Sequence, residues 1–148
     1  IEAQDVGPGK VAQSASWTVE AAEVHHVEPG LISLAYRFET AQGSVVFAGD
    51  CGDCPELRRI ARGADTLVIA CTHFGDPGTD PAIADVIAGT HEVAAIATQA
   101  AVRRVVLTHS SPNFSRPGVV ERAIAEVARS YGGIVLFPAE LESVDLSA

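Results

Sequence analysis

The sequence has no methionine and a single tryptophan, and only 10 of its 148 residues are basic against 19 acidic ones, a net charge of -9. Nucleic-acid-binding faces need clustered lysine and arginine to neutralise phosphates, so this balance disfavours them. No apolar run approaches the roughly 18 residues of a membrane span, and the N-terminus lacks the layout of a signal peptide. We therefore expect a soluble chain. Because Ile1 cannot be an initiator, we also expect the natural start to lie upstream.

Cysteine is scarce too, and its three copies, Cys51, Cys54 and Cys71, cannot form a closed set of disulfides. Their odd number predicts a reducing compartment, and we expect the cytoplasm. Cys51 and Cys54 form a CxxC pair directly after Asp50, in "AGDCGDCPE". A redox or structural-zinc module built on this pair is one hypothesis, but a single CxxC without a second pair is weak evidence for zinc.

The 47% hydrophobic content is that of a packed protein, and its pattern predicts one domain over 1-148. Residues 1-15 lack periodicity and predict an irregular lead-in. Three meandering strands should follow, separated by turns at "VEPG" and "QG". Beyond Pro55 the period changes to that of helices alternating with buried strands. The predicted order is strands 17–26, 31–40 and 44–49, helix 55–63, strand 65–71, a loop at "FGDPGTDP", helix 82–89, a helix from 91 capped by Thr90, strand 103–109, helix 119–132 and strands 133–138 and 140–147.

This plan is an α/β fold of the α+β type, a mixed β-sheet with helices on one face. So few helices, all late in the chain, leave the other sheet face apolar and uncovered. Exposed apolar surface costs about 25 cal/mol for each square ångström. The sequence therefore predicts that a second layer comes from outside this chain.

Polar side chains stand at the predicted ends of three strands: His26, Asp50 and His109. Ligands of open sheets gather where strands end, and two imidazoles with a carboxylate suit zinc or another divalent ion. His25 competes with His26, because a one-residue register at a strand end is not fixed by the sequence.

Four segments resemble successive blocks of the metallo-β-lactamase superfamily, in the branch of ribonuclease Z and arylsulfatase-like hydrolases. They are "VHHVEPGLISLAYRF", "VVFAGDCG", "ELRRIARGADTLV" and "AAIATQAAVRRVVLTH". The resemblance implies that His26, Asp50 and His109 are metal ligands, with Asp50 bridging two divalent metals, zinc before manganese or iron. It also implies an αββα sandwich of two similar halves, of which this chain is the C-terminal half.

The chain departs from that family in lacking the HxHxDH signature, and "GDT" has become "GDC". His91 lies about one turn too close to "AAIA" to match a further family histidine. We expect a second polypeptide to supply the N-terminal half and the missing ligands, across an apolar interface larger than roughly 2,000 Å².

The resemblance implies a metal-dependent hydrolase in which a metal-bridging hydroxide attacks a small ester, lactone, amide or phosphodiester. Asp50 would be catalytic as the bridging carboxylate, and His73 or His91 would protonate the leaving group. For each of these two histidines a purely structural place, in a loop or a first helical turn, is the competing interpretation. The alternative for the whole chain is a non-catalytic structural subunit with a vestigial metal site.

Overall fold

The computed structural model describes residues 3–26, 30–75 and 80–145. They form one seven-stranded sheet in chain order, β1-β2-β3-β4-β5-β6-β7. The first four strands are antiparallel and the pairs from β4 to β7 are parallel. The strands are β1 Gly9–Gln13, β2 Trp17–Val24, β3 Ser33–Thr40, β4 Gly43–Gly49, β5 Thr66–Ala70, β6 Arg104–Thr108 and β7 Ile134–Leu136.

In the described part of the chain, four α-helices lie between the later strands: α1 Pro55–Ala61, α2 Pro81–Ala84, α3 Thr90–Ala100 and α4 Val119–Ser130, with a 3-10 turn at Pro112–Ser115. Buried side chains of α1, α3 and α4 join alternate residues of the central strands in one core. The register places Val46, Leu67 and Val105 side by side on that face. The predicted mixed sheet with helices on one face is confirmed.

The other sheet face carries large apolar side chains that remain partly exposed. Phe38 and Phe47 expose 40% and 46% of their surface, and Ile134 exposes 53%. The rings of Phe38 and Phe47 meet edge to face, 5.8 Å between centroids. These aromatics lie on the side opposite Val46, because side chains alternate along a strand. We call this surface, represented by Tyr36, Phe38, Val45, Phe47, Val68 and Leu136, the open face.

Two predictions about the ends of the chain were wrong. The lead-in contains β1, which pairs with β2 through backbone hydrogen bonds and therefore needs no apolar alternation. Residues from 140 to 145 are not a strand, because the chain turns at Leu141 with φ 64° and the Glu142 N–H bonds to the Ala139 carbonyl, 3.1 Å. Residues 146–148 of that predicted strand lie outside the described part.

Two helix predictions also need correction. The helix expected over 82–89 stops at Ala84, because the chain after it packs across the loop that follows β4. Helix α3 is capped by Gly89, not Thr90, and the Glu92 carboxylate accepts the Gly89 N–H at 3.0 Å. Residues 27–29 of the predicted "VEPG" turn and 76–79 of the predicted "FGDPGTDP" loop lie outside the described residues.

Candidate metal centre

Asp50 stands at the edge of the sheet where the parallel strands end. Gly49 adopts φ 65°, a left-handed turn that favours glycine and brings the chain off β4. The Asp50 side chain exposes 31% of its surface, and its Oδ2 lies 3.3 Å from Nε2 of His109. Two predicted ligands far apart in sequence are therefore brought together.

His109 follows β6 and has φ 47°. A non-glycine residue in the left-handed region is uncommon, and such strain concentrates at functional sites. Because β4 and β6 both run parallel to β5, their carboxyl ends share one edge of the sheet. The left-handed turn directs the imidazole towards Asp50 and leaves 63% of the side chain exposed.

His25 and His26 lie beside the loop that follows Asp50. The Gly52 N–H donates to the His25 carbonyl at 3.0 Å. His25 is exposed, whereas His26 is half-buried and its Nδ1 lies 2.8 Å from the carbonyl oxygen of Val86. A carbonyl oxygen only accepts hydrogen bonds, so Nδ1 donates, and in the neutral ring Nε2 then keeps its lone pair. This is the arrangement that histidine ligands of metals usually have.

His73 lies in the loop after β5, packed against the start of α3. Its Nε2 is shielded from solvent, without a hydrogen-bond partner, 3.7 Å from Oε2 of Glu92. Its Nδ1 is 3.1 Å from the Thr72 hydroxyl, and its carbonyl accepts the Thr90 N–H at 3.0 Å. His91 is exposed and its ring contacts Gly75. His73 and His91 thus hold the loop after β5 against the start of α3.

Glu126 on α4 also contributes to this contact between the β5 loop and α3, through a hydrogen bond with Thr90. The Thr90 hydroxyl accepts the Gly75 N–H at 2.9 Å and donates to Glu126 at 2.8 Å. Burial alone would raise the pKa of Glu126, but hydrogen bonds from Thr90 and Arg122 and the charges of Arg122 and Arg129 lower it. The Glu126 carboxylate therefore stays ionised beside Thr90 and Arg122.

The cysteine pair has the chemistry of buried thiols. Cys51 and Cys54 are 0% and 1% exposed and unbonded to one another. Burial, with the nearby Cys54, Asp50 and Asp53, raises the pKa of Cys51 to about 12. Thiolate is the form that binds zinc or attacks a disulfide, so this environment weighs against the CxxC hypothesis. Cys54 is the N-cap residue of α1, and its side chain makes no capping hydrogen bond.

Small-ligand sites are typically cavities of about 300 to 1,000 Å³. One of about 790 Å³ opens beside His109, between the β6 loop and the segment after β7. Its wall includes the stacked rings of Phe114 and Phe137, 5.8 Å apart. The cavity offers room for a small substrate next to the imidazole.

Among the described ranges, no group of three or more His, Cys, Asp or Glu side chains is placed to hold a metal ion. The Asp50–His109 separation of 3.3 Å nonetheless suits two ligands of one ion. Zinc bonds of about 2.0–2.1 Å at a tetrahedral angle separate two donors by roughly 3.3 Å. The donors are right in kind and too few in number within this part of the chain.

The sequence did not reveal Gly52, Val86 and Glu92 as parts of this region. Val86 acts through its carbonyl and Gly52 through its lack of a side chain, features that no residue pattern marks. The position of Glu92 near the start of a helix was the one readable signal, since an acid at that place caps the first turn.

The family model described as "Beta-lactamase superfamily domain" matches residues 1–110. Ribonuclease Z of Mycobacterium tuberculosis (strain ATCC 25618 / H37Rv) is 29% identical over 151 aligned residues, which cover 99% of this chain and 55% of that protein. Two solved structures share the fold. For the metallo-beta-lactamase fold protein YhfI from Bacillus subtilis the TM-score is 0.72 at 19% identity, over 87% of this chain and 49% of that one.

For the short form of human tRNase Z the TM-score is 0.66 at 17% identity, over 93% of this chain and 46% of that one. The chain thus spans about half the length of these proteins. No helix of the described residues is long and apolar enough to cross a bilayer. The family model covers well over half of the chain and the seven-stranded sheet has the fold of these structures, so the chain belongs to the metallo-β-lactamase superfamily, a family of hydrolases.

Proposed function

We propose that this chain supplies part of the metal centre of a hydrolase, with Asp50, His109 and His26 as ligands. The contact between Asp50 and His109 carries the proposal, because it joins a carboxylate and an imidazole at the sheet edge where α/β folds bind ligands. His26 is preferred to His25 because its Nδ1 is already bonded to Val86. The exposed ring of His25 is not oriented by a hydrogen bond of this kind within the described part of the chain.

A bound divalent metal, zinc before manganese or iron, would supply Lewis acidity and a water of lowered pKa. Asp50 and His109, which lie 3.3 Å apart, would hold it together, with His26 and residues of the partner as the remaining ligands of the centre. The cavity beside His109 would position a small ester, lactone, amide or phosphodiester. The net charge of -9 favours such small substrates over nucleic acid. Of the two histidines proposed to protonate a leaving group, His91 has an exposed ring, whereas Nε2 of His73 is shielded from solvent.

The missing ligands are proposed to come from a second polypeptide that covers the open face. Four large side chains there, Trp17, Phe38, Phe47 and Ile134, expose 40% or more of their surface. Their burial would supply the apolar core of an interface larger than roughly 2,000 Å². Native mass spectrometry of the purified protein tests this, and a lone, soluble, metal-replete 15.4 kDa species would contradict it.

Asp50→Asn tests the metal centre in the protein assembled with its partner. We expect bound metal, measured by elemental analysis, and hydrolysis of a panel of aryl esters, lactones and phosphodiesters to fall at least tenfold, with folding retained. Glu23→Gln is the matched control, since Glu23 is an exposed acid of β2. Unchanged metal content and turnover in Asp50→Asn would overturn the proposal.

The second candidate, a structural subunit with a vestigial site, is favoured by the absence of a three-ligand cluster among the described residues. Under it, the Asp50→Asn complex would assemble normally and retain full activity. Loss of activity with assembly intact would exclude it.

A further inference from the structure

Gly52, the glycine within the CxxC pair, packs against the backbone that follows α2. A Cβ at this position would overlap the carbonyl of Asp85 and approach the carbonyl oxygen of Ala84 within about 2.5 Å. These obstacles are main-chain atoms, which cannot rotate away as the end of a long side chain can. Position 52 therefore requires glycine for space.

Gly52 also holds the opposite segment, since its N–H donates to the His25 carbonyl at 3.0 Å. The loop after β4 thus lies between the end of β2 and the segment Ala84–Val86. Val86 is the residue whose carbonyl accepts the His26 Nδ1–H at 2.8 Å. Close approach at Gly52 and the orientation of His26 are consequently parts of one packing arrangement.

The segment that carries the Val86 carbonyl is held on both sides. Before it, Asp80 caps α2 by accepting the Ala82 N–H at 3.0 Å. After it, the Ile87 N–H bonds to the Ile83 carbonyl at 2.9 Å, and the Ala88 carbonyl accepts the Thr72 N–H at 3.1 Å. Its freedom to adjust to a side chain at position 52 is therefore small.

We infer that Gly52 is a positioning residue. Its missing side chain lets Ala84–Val86 approach, so that the Val86 carbonyl fixes His26 as the Nδ1–H tautomer and leaves Nε2 free for a metal. The inference rests on the proposed function only in naming a metal as the ligand of Nε2. A partner that orients a ligating histidine commonly changes metal affinity 10- to 100-fold.

The tautomer can be read without metal or turnover. Long-range 1H–15N correlation spectra of the chelator-treated protein distinguish a protonated from an unprotonated ring nitrogen. We expect His26 to be protonated on Nδ1 when neutral and exposed His25 to show both tautomers. An Nε2–H tautomer at His26 would overturn the inference whether or not the protein binds zinc.

Gly52→Ala is the variant test, with Gly132→Ala as control because a Cβ there would meet nothing within 4 Å. Gly52→Ala should give His26 mixed tautomers and lower the affinity for Zn²⁺ 10- to 100-fold in the assembled protein, while Gly132→Ala changes neither. A folded Gly52→Ala with unchanged tautomer and affinity would refute the positioning role. If wild type and control bind no Zn²⁺, the proposed function fails, and the tautomer still decides this inference.

Ile87→Pro provides a second route should Gly52→Ala not fold. It removes the Ile87 N–H bond to Ile83 and drives Val86 towards extended backbone, which moves the same carbonyl without altering position 52. The expected result is again a mixture of His26 tautomers. Retention of the pure Nδ1–H form would count against the inference.

Discussion

His109 Nε2 lies 3.3 Å from Asp50 Oδ2, across an intervening strand of the sheet. Each side chain reaches that point from a left-handed turn at a strand end, Gly49 at φ 65° before Asp50 and His109 itself at φ 47°. A left-handed backbone costs an L-residue roughly 1–2 kcal/mol. The fold thus holds the His109 imidazole beside Asp50 at a conformational cost.

The strain at His109 gives a first prediction. His109→Gly should leave the free energy of unfolding unchanged or raise it, whereas His109→Val should lower it by about 1–2 kcal/mol, because β-branched residues resist positive φ. Both variants should lose bound metal. Urea unfolding monitored by circular dichroism measures the stability difference.

Thr108→Gly is the control, since Thr108 lies within β6, where glycine weakens a strand. Its free energy of unfolding should fall. Equal stabilities of His109→Gly and His109→Val would show that the turn is not strained.

The adjacent histidines give a second prediction. His26→Ala should reduce the metal content of the assembled protein, because the ring bonded to Val86 is the one oriented for ligation. His25→Ala removes an exposed ring of the same chemistry and should leave metal content unchanged. Elemental analysis of both variants decides the register, and the reverse result would assign the ligand to His25.

Much of the sheet was predictable because its strands are apolar or alternating segments that the sequence alone identifies. The apolar runs that became β5 and β6 are buried except for half-buried Val68 and exposed Thr108, and the period-two run of β2 is half-buried. Strand β1 was missed because an edge strand is held by backbone bonds, which any side chains permit. Helix α2 was overestimated because tertiary packing on Gly52 ends it early.

The Asp50–His109 contact was also within reach of the sequence, since the carboxyl ends of parallel strands share one edge. The contacts by which His73, Glu92 and Thr90 hold the β5 loop on α3 could not be predicted from the sequence. They depend on how the β5 loop folds back on α3, and on glycines at 75 and 89 against which the two rings pack. Pairings of that kind arise from close approach in space and leave no periodic mark.

The open face gives a third prediction. Leu67→Ala on the helix face, where Leu67 is 0% exposed, should lower the free energy of unfolding by about 2–5 kcal/mol. Phe47→Ala on the open face should cost this chain less, since Phe47 is 46% exposed and chiefly loses its edge-to-face contact with Phe38. Association with the partner should instead weaken at least tenfold for Phe47→Ala. An equal effect of both variants on association would argue against an interface there.

Glu126 gives a fourth prediction, on acid stability. Its folded pKa lies below the ordinary 4.5, so its stabilisation is present above that value and is lost as the pH falls through the folded pKa. Glu126→Gln keeps an acceptor for Thr90 but loses the ion pairs with Arg122 and Arg129. Its stability at neutral pH should fall by about 1 kcal/mol after solvent screening. Chemical unfolding at several pH values should show the gap from wild type closing as the pH falls below the ordinary pKa of 4.5.

The buried thiols predict how stability changes in alkali. Burial raises the pKa of Cys51 and of Cys71 from 9.0 to about 12. Between those values the unfolded chain releases protons that the folded chain keeps, so the free energy of unfolding falls as the pH rises. Each thiol can contribute a slope of up to about 1.4 kcal/mol per pH unit.

Tyr131, whose pKa burial also raises, adds to this loss of stability above pH 10.0. Urea unfolding between pH 8 and 11 should give a shallower slope for Cys51→Ala/Cys71→Ala than for wild type, while Tyr131→Phe alone leaves the early part unchanged. A double variant with the full wild-type slope would mean that these thiols ionise as readily in the folded chain as in water.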